Sequence, residues 1–423
     1  FRREGNYTCS SCVKTFTYNS RGSDQVAKIK TDSNNNVVLL GNSYYSDDNK
    51  YEWRILKTYD DGDLIFNKTF DNGDSNYQGK AYDLDLDEND NIYVVGTEIV
   101  DLGGSTTTRM RVAKFSGNDG SLIWTRIHGL GEEGYGIVVD KNSNWLYIVG
   151  TELLGAGGNK SLIVLRCKKD GSSCDKWQDY HKHSDQRGYD IALDSKSNVF
   201  VSGATKQVNW NYLILKWSSS SMLLGEKLYD AYNTDEFAKG IAIDALNRVV
   251  VTGTTYNPST GHYEILTQKY KNDLTGSPIW SAIYGEDDKD YYAEDVTCER
   301  GKNRSDIGLD ERFMDYVYIG GYKYKPDTDD FDAIFLRYRE YCSGPFPNET
   351  IFSDEDVFST SSTSTFLIRS VHFKELRSVC DGLLKNCASN YYNSSKRNSK
   401  IGFSSSEVEP EKLIRDKHLT GLR

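Results

Sequence analysis

The groups in this sequence that could ligate a metal or transfer a proton are 6 histidines, 8 cysteines and 62 acidic side chains, spread over 423 residues. The histidines are His128, His181, His183, His262, His372 and His418. His181 and His183, in "HKH", would share one face of a strand and could hold a metal there. No third ligand is near them in sequence, so a solvated outer strand is expected. "DLDLDENDN" places Asp85, Asp87, Asn89 and Asn91 with the alternation of a calcium loop. It lacks the turn glycine and the closing glutamate that such a loop requires. Asp and Asn are ordinary turn residues, and a hairpin turn is the expectation. Acidic runs such as "GEDDKDYYAED" and "KPDTDDFDA" read as solvated loops. HExxH, G-x-S-x-G and the phosphate-binding G-x-x-x-x-G-K-[ST] are all missing. "SGNDGSLIW" comes near the Asp-box of sialidases, but Asp119 and Gly120 are adjacent, which breaks that pattern. Paired carboxylates could cleave glycosides, and no pair stands out. No catalytic residue, cofactor or metal is expected.

The cysteines and sequons point to a compartment. In "RCKKDGSSC", Cys167 and Cys174 are equidistant from an Asp170-Gly171 turn, a strong hairpin signal. Directly opposed strand residues lie within disulfide reach, so this pair is expected to be bonded. Sequons occur at Asn6, Asn67, Asn159, Asn303, Asn348 and Asn393, all in tails, loops, an insertion or an outer strand. The sequence starts at Phe1 rather than at methionine, as it would after removal of a signal peptide. A secreted, disulfide-bonded glycoprotein is the expectation.

The net charge of −11 argues against nucleic acid or an anionic membrane surface as the main partner. No run approaches the roughly 18 consecutive apolar residues of a membrane span, so membrane insertion is not expected. Thirty tyrosines and 36 glycines suggest strands and turns.

The elements carrying these groups form a repeat. An apolar strand punctuated by glycine recurs as "VVLLGNS", "IYVVGTE", "LYIVGTE", "VFVSGAT", "VVVTGTT" and "VYIGGYK", with glycines at 41, 96, 150, 203, 253 and 320. An apolar strand ending on Asp32, Asp87, Asp140, Asp194 or Asp244 precedes the first five; Glu299 matches in the sixth, where an insertion follows. A third strand carries a basic residue near its end ("WRILKTY", "YLILKW"), and a fourth follows a turn. Four short strands repeated about every fifty residues are propeller blades. Glycine at one repeated strand position marks a packing constraint. An all-β, six-bladed β-propeller over residues 12–342 is expected, with a seventh blade within 345–375 as the alternative. Residues 12–18 read as a lone fourth strand that completes blade six. Cys9 then aligns with Cys174, which predicts a bond from Cys9 to Cys342, with Cys12 as the alternative partner. Cys298, Cys380 and Cys387 are left unassigned.

These strings resemble the secreted β-propeller-repeat proteins of the SBBP type, whose units read like "D…GNVYVTGYT…DAFVAKY…G…W…YG". The resemblance is specific at the Asp, Gly-Thr and Lys-aromatic positions. Blade four departs from it, with Gly225 where others have Trp or Phe. It implies a propeller and an extracytoplasmic place but no single activity.

Residues 1–11 form an N-terminal arm, and residues 343–423 form a Ser/Thr-rich, partly helical extension. With no catalytic motif, the leading expectation is an extracellular structural subunit of a filament, coat or appendage such as a flagellar hair. Its partners would be copies of itself or other extracellular structural proteins. The alternatives are a glycan-binding adhesin or lectin using Tyr-rich loops such as 42–53 and 288–295, and a polysaccharide-active enzyme with carboxylates converging on the axis. Tyr93, Tyr147 and Tyr318 are expected to pack within blades.

Overall fold

A computed structural model describes residues 24–45, 50–59, 62–70, 77–154, 158–180, 185–285, 289–300, 303–304, 309–310, 314–325, 330–341 and 352–354. The chain divides into two compact units, residues 1–296 with 321–332 and residues 297–320 with 333–423. The fold is an all-β six-bladed propeller of four-stranded antiparallel blades. The first strands are Asp24–Thr31, Tyr77–Leu86, Glu132–Val139, Asp185–Leu193, Glu236–Ile243 and Asp290–Arg300. The glycine-bearing second strands are Val37–Tyr45, Ile92–Asp101, Trp145–Leu154, Val199–Lys206, Val249–Asn257 and Met314–Lys325. Among the described residues, no helix is long and apolar enough to cross a membrane.

The core lies between successive blades, which is why the second strands are apolar on both faces. Val38, Leu40 and Ile55 of blade one meet Leu84, Ile92 and Val94 of blade two. Similar clusters join blades two and three, three and four, and four and five. Tyr93 and Tyr147 are buried in these layers, as expected.

The repeated aspartate closes the turn between first and second strands. Asp87 Oδ1 accepts the backbone N–H groups of Asn89 and Asn91, both at 2.9 Å. Asp32, Asp194 and Asp244 bond their own turns in the same way. "DLDLDENDN" is therefore a turn. The other carboxylate oxygen takes the repeated third-strand lysine: Lys57 to Asp32 at 2.8 Å, Lys114 to Asp87 at 3.2 Å, Lys269 to Asp244 at 2.7 Å. Lys57 also donates to Gly117 O in the next blade. Glu299 fills this place in blade six: Tyr318 donates to it at 3.4 Å, as Tyr93 donates to Asp87 at 3.2 Å.

A β-bulge interrupts the first strand of blades one to five, one residue after the pairing with the repeated glycine. Strand carbonyls press against that glycine. A Cβ on Gly150 would lie 1.9 Å from Glu133 O, and one on Gly253 would lie 1.9 Å from Phe237 O. In blade six this residue is Gly321, whose Cβ would lie 2.1 Å from Tyr292 O; Gly320 faces open space. The sequence alignment placed Gly320 here, one residue off, because two glycines are adjacent. In blades one and two the residue after the glycine serves the next blade: Asn42 exchanges hydrogen bonds of 2.8 and 2.9 Å with Ala81, and Thr97 Oγ1 accepts Gly134 N at 3.1 Å.

Outer strands lock through an aromatic ring under a turn. Phe66 lies beneath Gly120 and Trp124 beneath Gly171, both glycines with φ near +70°. Blade four inverts the pair: Gly225 replaces the ring, and the facing turn of blade five carries the large Leu274 at φ 57°. Leu274 is buried in the space a tryptophan would fill. Cys167 and Cys174 are directly opposed and form a disulfide, with Cα atoms 3.9 Å apart.

The fourth strand on blade six is Phe352–Asp354, paired with Arg337–Arg339, where the sequence placed residues 12–18. A strand only eleven residues beyond the third strand (Asp330–Tyr341) returns by a local antiparallel connection, at little loop-closure cost. Residues 12–18, Cys9, Cys12, Cys342, Cys380 and Cys387 lie outside the described residues. So do the arm, nearly all of the extension and most of 345–375.

Two outcomes are expected. Lys269 and Asp244 are almost wholly buried, and Arg248 also bonds Asp244 at 2.6 Å, so Lys269→Met should cost about 1–3 kcal/mol by removing one of two cations from a buried carboxylate. Urea unfolding measures this; a loss below about 1 kcal/mol would contradict a buried pair. Gly225→Trp alone should destabilise by about 1–3 kcal/mol through overpacking, and Leu274→Gly in the same chain should recover part of that loss. Additive effects in a double-mutant cycle would refute the exchange.

Candidate functional site

The bulges aim two successive residues of each first strand at the propeller axis. The residue after the bulge is Lys28, Asp83, Gly136, Asp190, Gly240 and, by the same repeat position, Asp295. Asp83 Oδ2 accepts Ile137 N of the next blade at 2.9 Å, and Asp190 Oδ2 accepts Ile241 N at 2.9 Å. Their Oδ1 atoms accept the N–H of Leu84 and Ile191. The intervening blades carry glycine because the strands nearly touch: a Cβ on Gly136 would lie 3.0 Å from the Asp190 Cα, and one on Gly240 would lie 2.9 Å from that of Asp295. Lys28 bonds Asp295 at 2.8 Å and Asp83 at 3.4 Å, and two residues further along the strand Lys30 bonds Asp85 at 3.3 Å.

Burial raises the Asp190 carboxyl to about 7; Lys28 opposes this, while Asp295 and Asp83 add to it. Burial likewise raises Asp83, against Lys28 and Lys30. For Lys28, burial acts downward, but Asp83, Asp295 and Asp190 outweigh it and hold the ammonium well above its usual range. The axis thus holds paired charge beside an acid that burial has raised toward neutral pH.

The bulge residues themselves form a belt above this cluster: Ala27, Tyr82, Tyr135, Tyr189, Lys239 and, by alignment, Glu294. Tyr82 and Tyr135 meet edge to face at 5.1 Å, Tyr135 and Tyr189 lie 6.2 Å apart, and the Lys239 Nζ sits 4.0 Å from the Tyr189 ring centre. Glu133 accepts the Tyr135 hydroxyl at 2.8 Å. Burial lifts the Tyr189 hydroxyl to about 12 and raises Tyr82 and Tyr135 too, so all three stay neutral hydrogen-bonding groups. A second aromatic row runs Tyr256, Tyr263, Tyr292, Tyr322 and Phe331, with successive ring centres 5.0–5.4 Å apart. Tyr292 belongs to the 288–295 stretch singled out in the sequence. The inner belt was missed there, although aligning the first strands as "KAYDL", "EGYGI" and "RGYDI" exposes a repeated tyrosine.

Other candidates fall elsewhere. His181 and His183 lie outside the described residues; His128 contacts Glu132, and His262 lies 3.2 Å from Asp290. Among the described residues no group of three or more His, Cys, Asp or Glu side chains could hold a metal ion. Asn159 is exposed at a hairpin, whereas Asn67 is half-buried and accepts Arg54 Nη1 at 2.8 Å. Asn303 lies in a short hairpin of the insertion; Asn6, Asn348 and Asn393 lie outside the described residues.

The sequence matches no protein-family model and no curated protein. By structure the chain is similar to a protein of unknown function from Dyadobacter fermentans, at 11% identity and TM-score 0.51, covering 75% of this chain and 95% of that one. It also resembles the β-propeller domain of the Trilobed protease from Pyrococcus furiosus (10% identity, TM-score 0.38, 80% and 98% covered). An α-L-arabinofuranosidase from Fusarium graminearum is similar at 11% identity and TM-score 0.44, with 74% and 93% covered. At such identities the likeness concerns the fold.

The axial acid yields a pH test. With a folded pKa of about 7 for Asp190 against about 4 unfolded, the folded state holds the extra proton between those values. Wild-type stability should therefore fall relative to Asp190→Asn as pH rises from about 4 to 7. Urea midpoints for both proteins across that window check this; a pH-independent difference would show Asp190 to be ionised throughout.

Proposed function

We propose that this protein is an extracellular, non-catalytic recognition module that holds carbohydrate on the tyrosine belt around its axis. The belt of Tyr82, Tyr135 and Tyr189 carries the reading. Tyrosine offers an apolar ring face to the C–H face of a sugar and a hydroxyl to its polar edge. The belt is interleaved with Glu133, Lys239 and Arg187, few but varied polar groups of the kind that orient a polar ligand. Beneath it, the oxygens of Asp83 and Asp190 are taken by backbone amides and the Lys28 ammonium, which favours binding over chemistry. The Cys167–Cys174 disulfide supports an oxidising, extracytoplasmic place. Kinship with the SBBP-type proteins is part of the same proposal, since the Asp, Gly and Lys positions that carry the resemblance each have a structural role here.

A polysaccharide-active enzyme is the second reading. It is favoured by the convergence of Asp83, Asp190 and Asp295 on the axis, with Asp190 poised near neutral pH as a general acid needs. The assembly-subunit reading drew chiefly on the tails, which lie outside the described residues. It keeps one support, the exposed Leu122, Ile123, Ile127 and Leu130 on the outer strand of blade two.

A glycan array on the full chain, followed by calorimetry, tests the proposal. Tyr82 is 38% exposed, so Tyr82→Ala should keep the fold and weaken binding of retained glycans about tenfold, near 1.4 kcal/mol. An array on which no oligosaccharide is retained would refute it. Release of reducing ends that disappears in Asp190→Asn would support the enzyme instead.

A further inference from the structure

We infer that the sugar bound by this belt is anionic, its carboxylate or sulfate seated against Arg187 beside Tyr189. The inference rests on the carbohydrate reading and narrows its ligand class.

Three cations gather at this sector, and aromatic rings hold them. The Arg187 guanidinium lies 4.5 Å from the Trp210 ring centre, Lys206 Nζ lies 5.7 Å from the same ring, and Lys239 Nζ lies 4.0 Å from that of Tyr189. Arg187 also hydrogen-bonds the Tyr189 hydroxyl. Its side chain is 40% exposed, yet its Nε–H is buried with no hydrogen-bond partner among the described residues. Leaving a guanidinium donor unmade is costly, and the planar guanidinium suits a two-oxygen acceptor.

The acids nearby do not supply that acceptor. Asp185 reaches only Arg187 Nη2, at 4.0 Å, and its Oδ1 already takes Lys160 N at 3.1 Å. Glu294 takes the Tyr322 hydroxyl and faces Lys239. Burial lowers the Lys239 pKa, with Glu294 acting against it and Arg187 adding to it, so Glu294 is engaged by Lys239 rather than by Arg187. An anionic group at Arg187 would pair with the guanidinium while its sugar ring rests on Tyr189 and Tyr135.

The test uses the full chain with a galacturonic acid hexamer, a heparin hexasaccharide and neutral cellohexaose, by calorimetry. One or both acidic probes should bind at least tenfold tighter than cellohexaose. That preference should vanish in Arg187→Gln and shrink at about 0.5 M salt, where screening reaches within a few Å. The galacturonate and heparin arms separate carboxylate from sulfate. Equal binding of acidic and neutral probes, unchanged in Arg187→Gln, would overturn the inference and leave carbohydrate recognition standing. No binding of any probe, with none on the array, would overturn both.

Discussion

The β-bulge in the first strand is the constraint on which the rest depends. One extra residue twists the strand and pushes its carbonyl into the second strand, where only glycine leaves room. The same distortion leaves backbone groups without ladder partners. Asn42 and Thr97, each directly after its glycine, supply those partners to the following blade. Gly41-Asn42 and Gly96-Thr97 thus answer one local distortion twice, by space and by hydrogen bonding. The bulge also turns two successive side chains toward the axis, which sets the belt above the charged cluster.

A second link holds the far end of blades one, two and five. The buried Asp–Lys pair ties the first hairpin to the third strand, and Lys57 extends the tie to the next blade through Gly117 O. For Asp244, burial acts to raise the carboxyl, but Lys269 and the turn hydrogen bonds hold it below its usual value. Such a depressed acid stabilises the fold above about pH 4 and ceases to do so as pH falls through its folded pKa. Asp190 titrates in the opposite sense. The two kinds of aspartate therefore oppose each other between acid and neutral pH, the repeated one favouring the fold as pH rises and the axial one as it falls.

The proposed site lies where the repeat varies. Each column that repeats has a packing or pairing duty: Gly253 against Phe237 O, Asp87 at its turn, Trp124 under Gly171. The bulge column and the one after it run through Ala, Tyr, Lys and Glu, and through Lys, Asp and Gly. In the column after the bulge the choice is set by the next blade, Asp83 and Asp190 bonding its amides and Gly136 and Gly240 making room for its strand. Blade four shows that even a repeated duty can be inverted. Gly225 and Leu274 exchange bulk across an interface, so its departure from the repeat concerns volume rather than ligand.

By itself the sequence determined the six blades, their strands other than the fourth of blade six, the Cys167–Cys174 pairing and the turn role of the aspartates. Strand periodicity, turn chemistry and hairpin register are all local, and local rules repeat visibly along the chain. Tertiary structure alone decided which glycine meets the bulge, Gly321 rather than Gly320, because only the neighbouring strand's carbonyl distinguishes them. It alone also brought Lys28, Asp83, Asp190 and Asp295 together, and Tyr82, Tyr135 and Tyr189 beside them. These residues lie about fifty or more positions apart and meet because successive blades rotate the same strand position onto one axis.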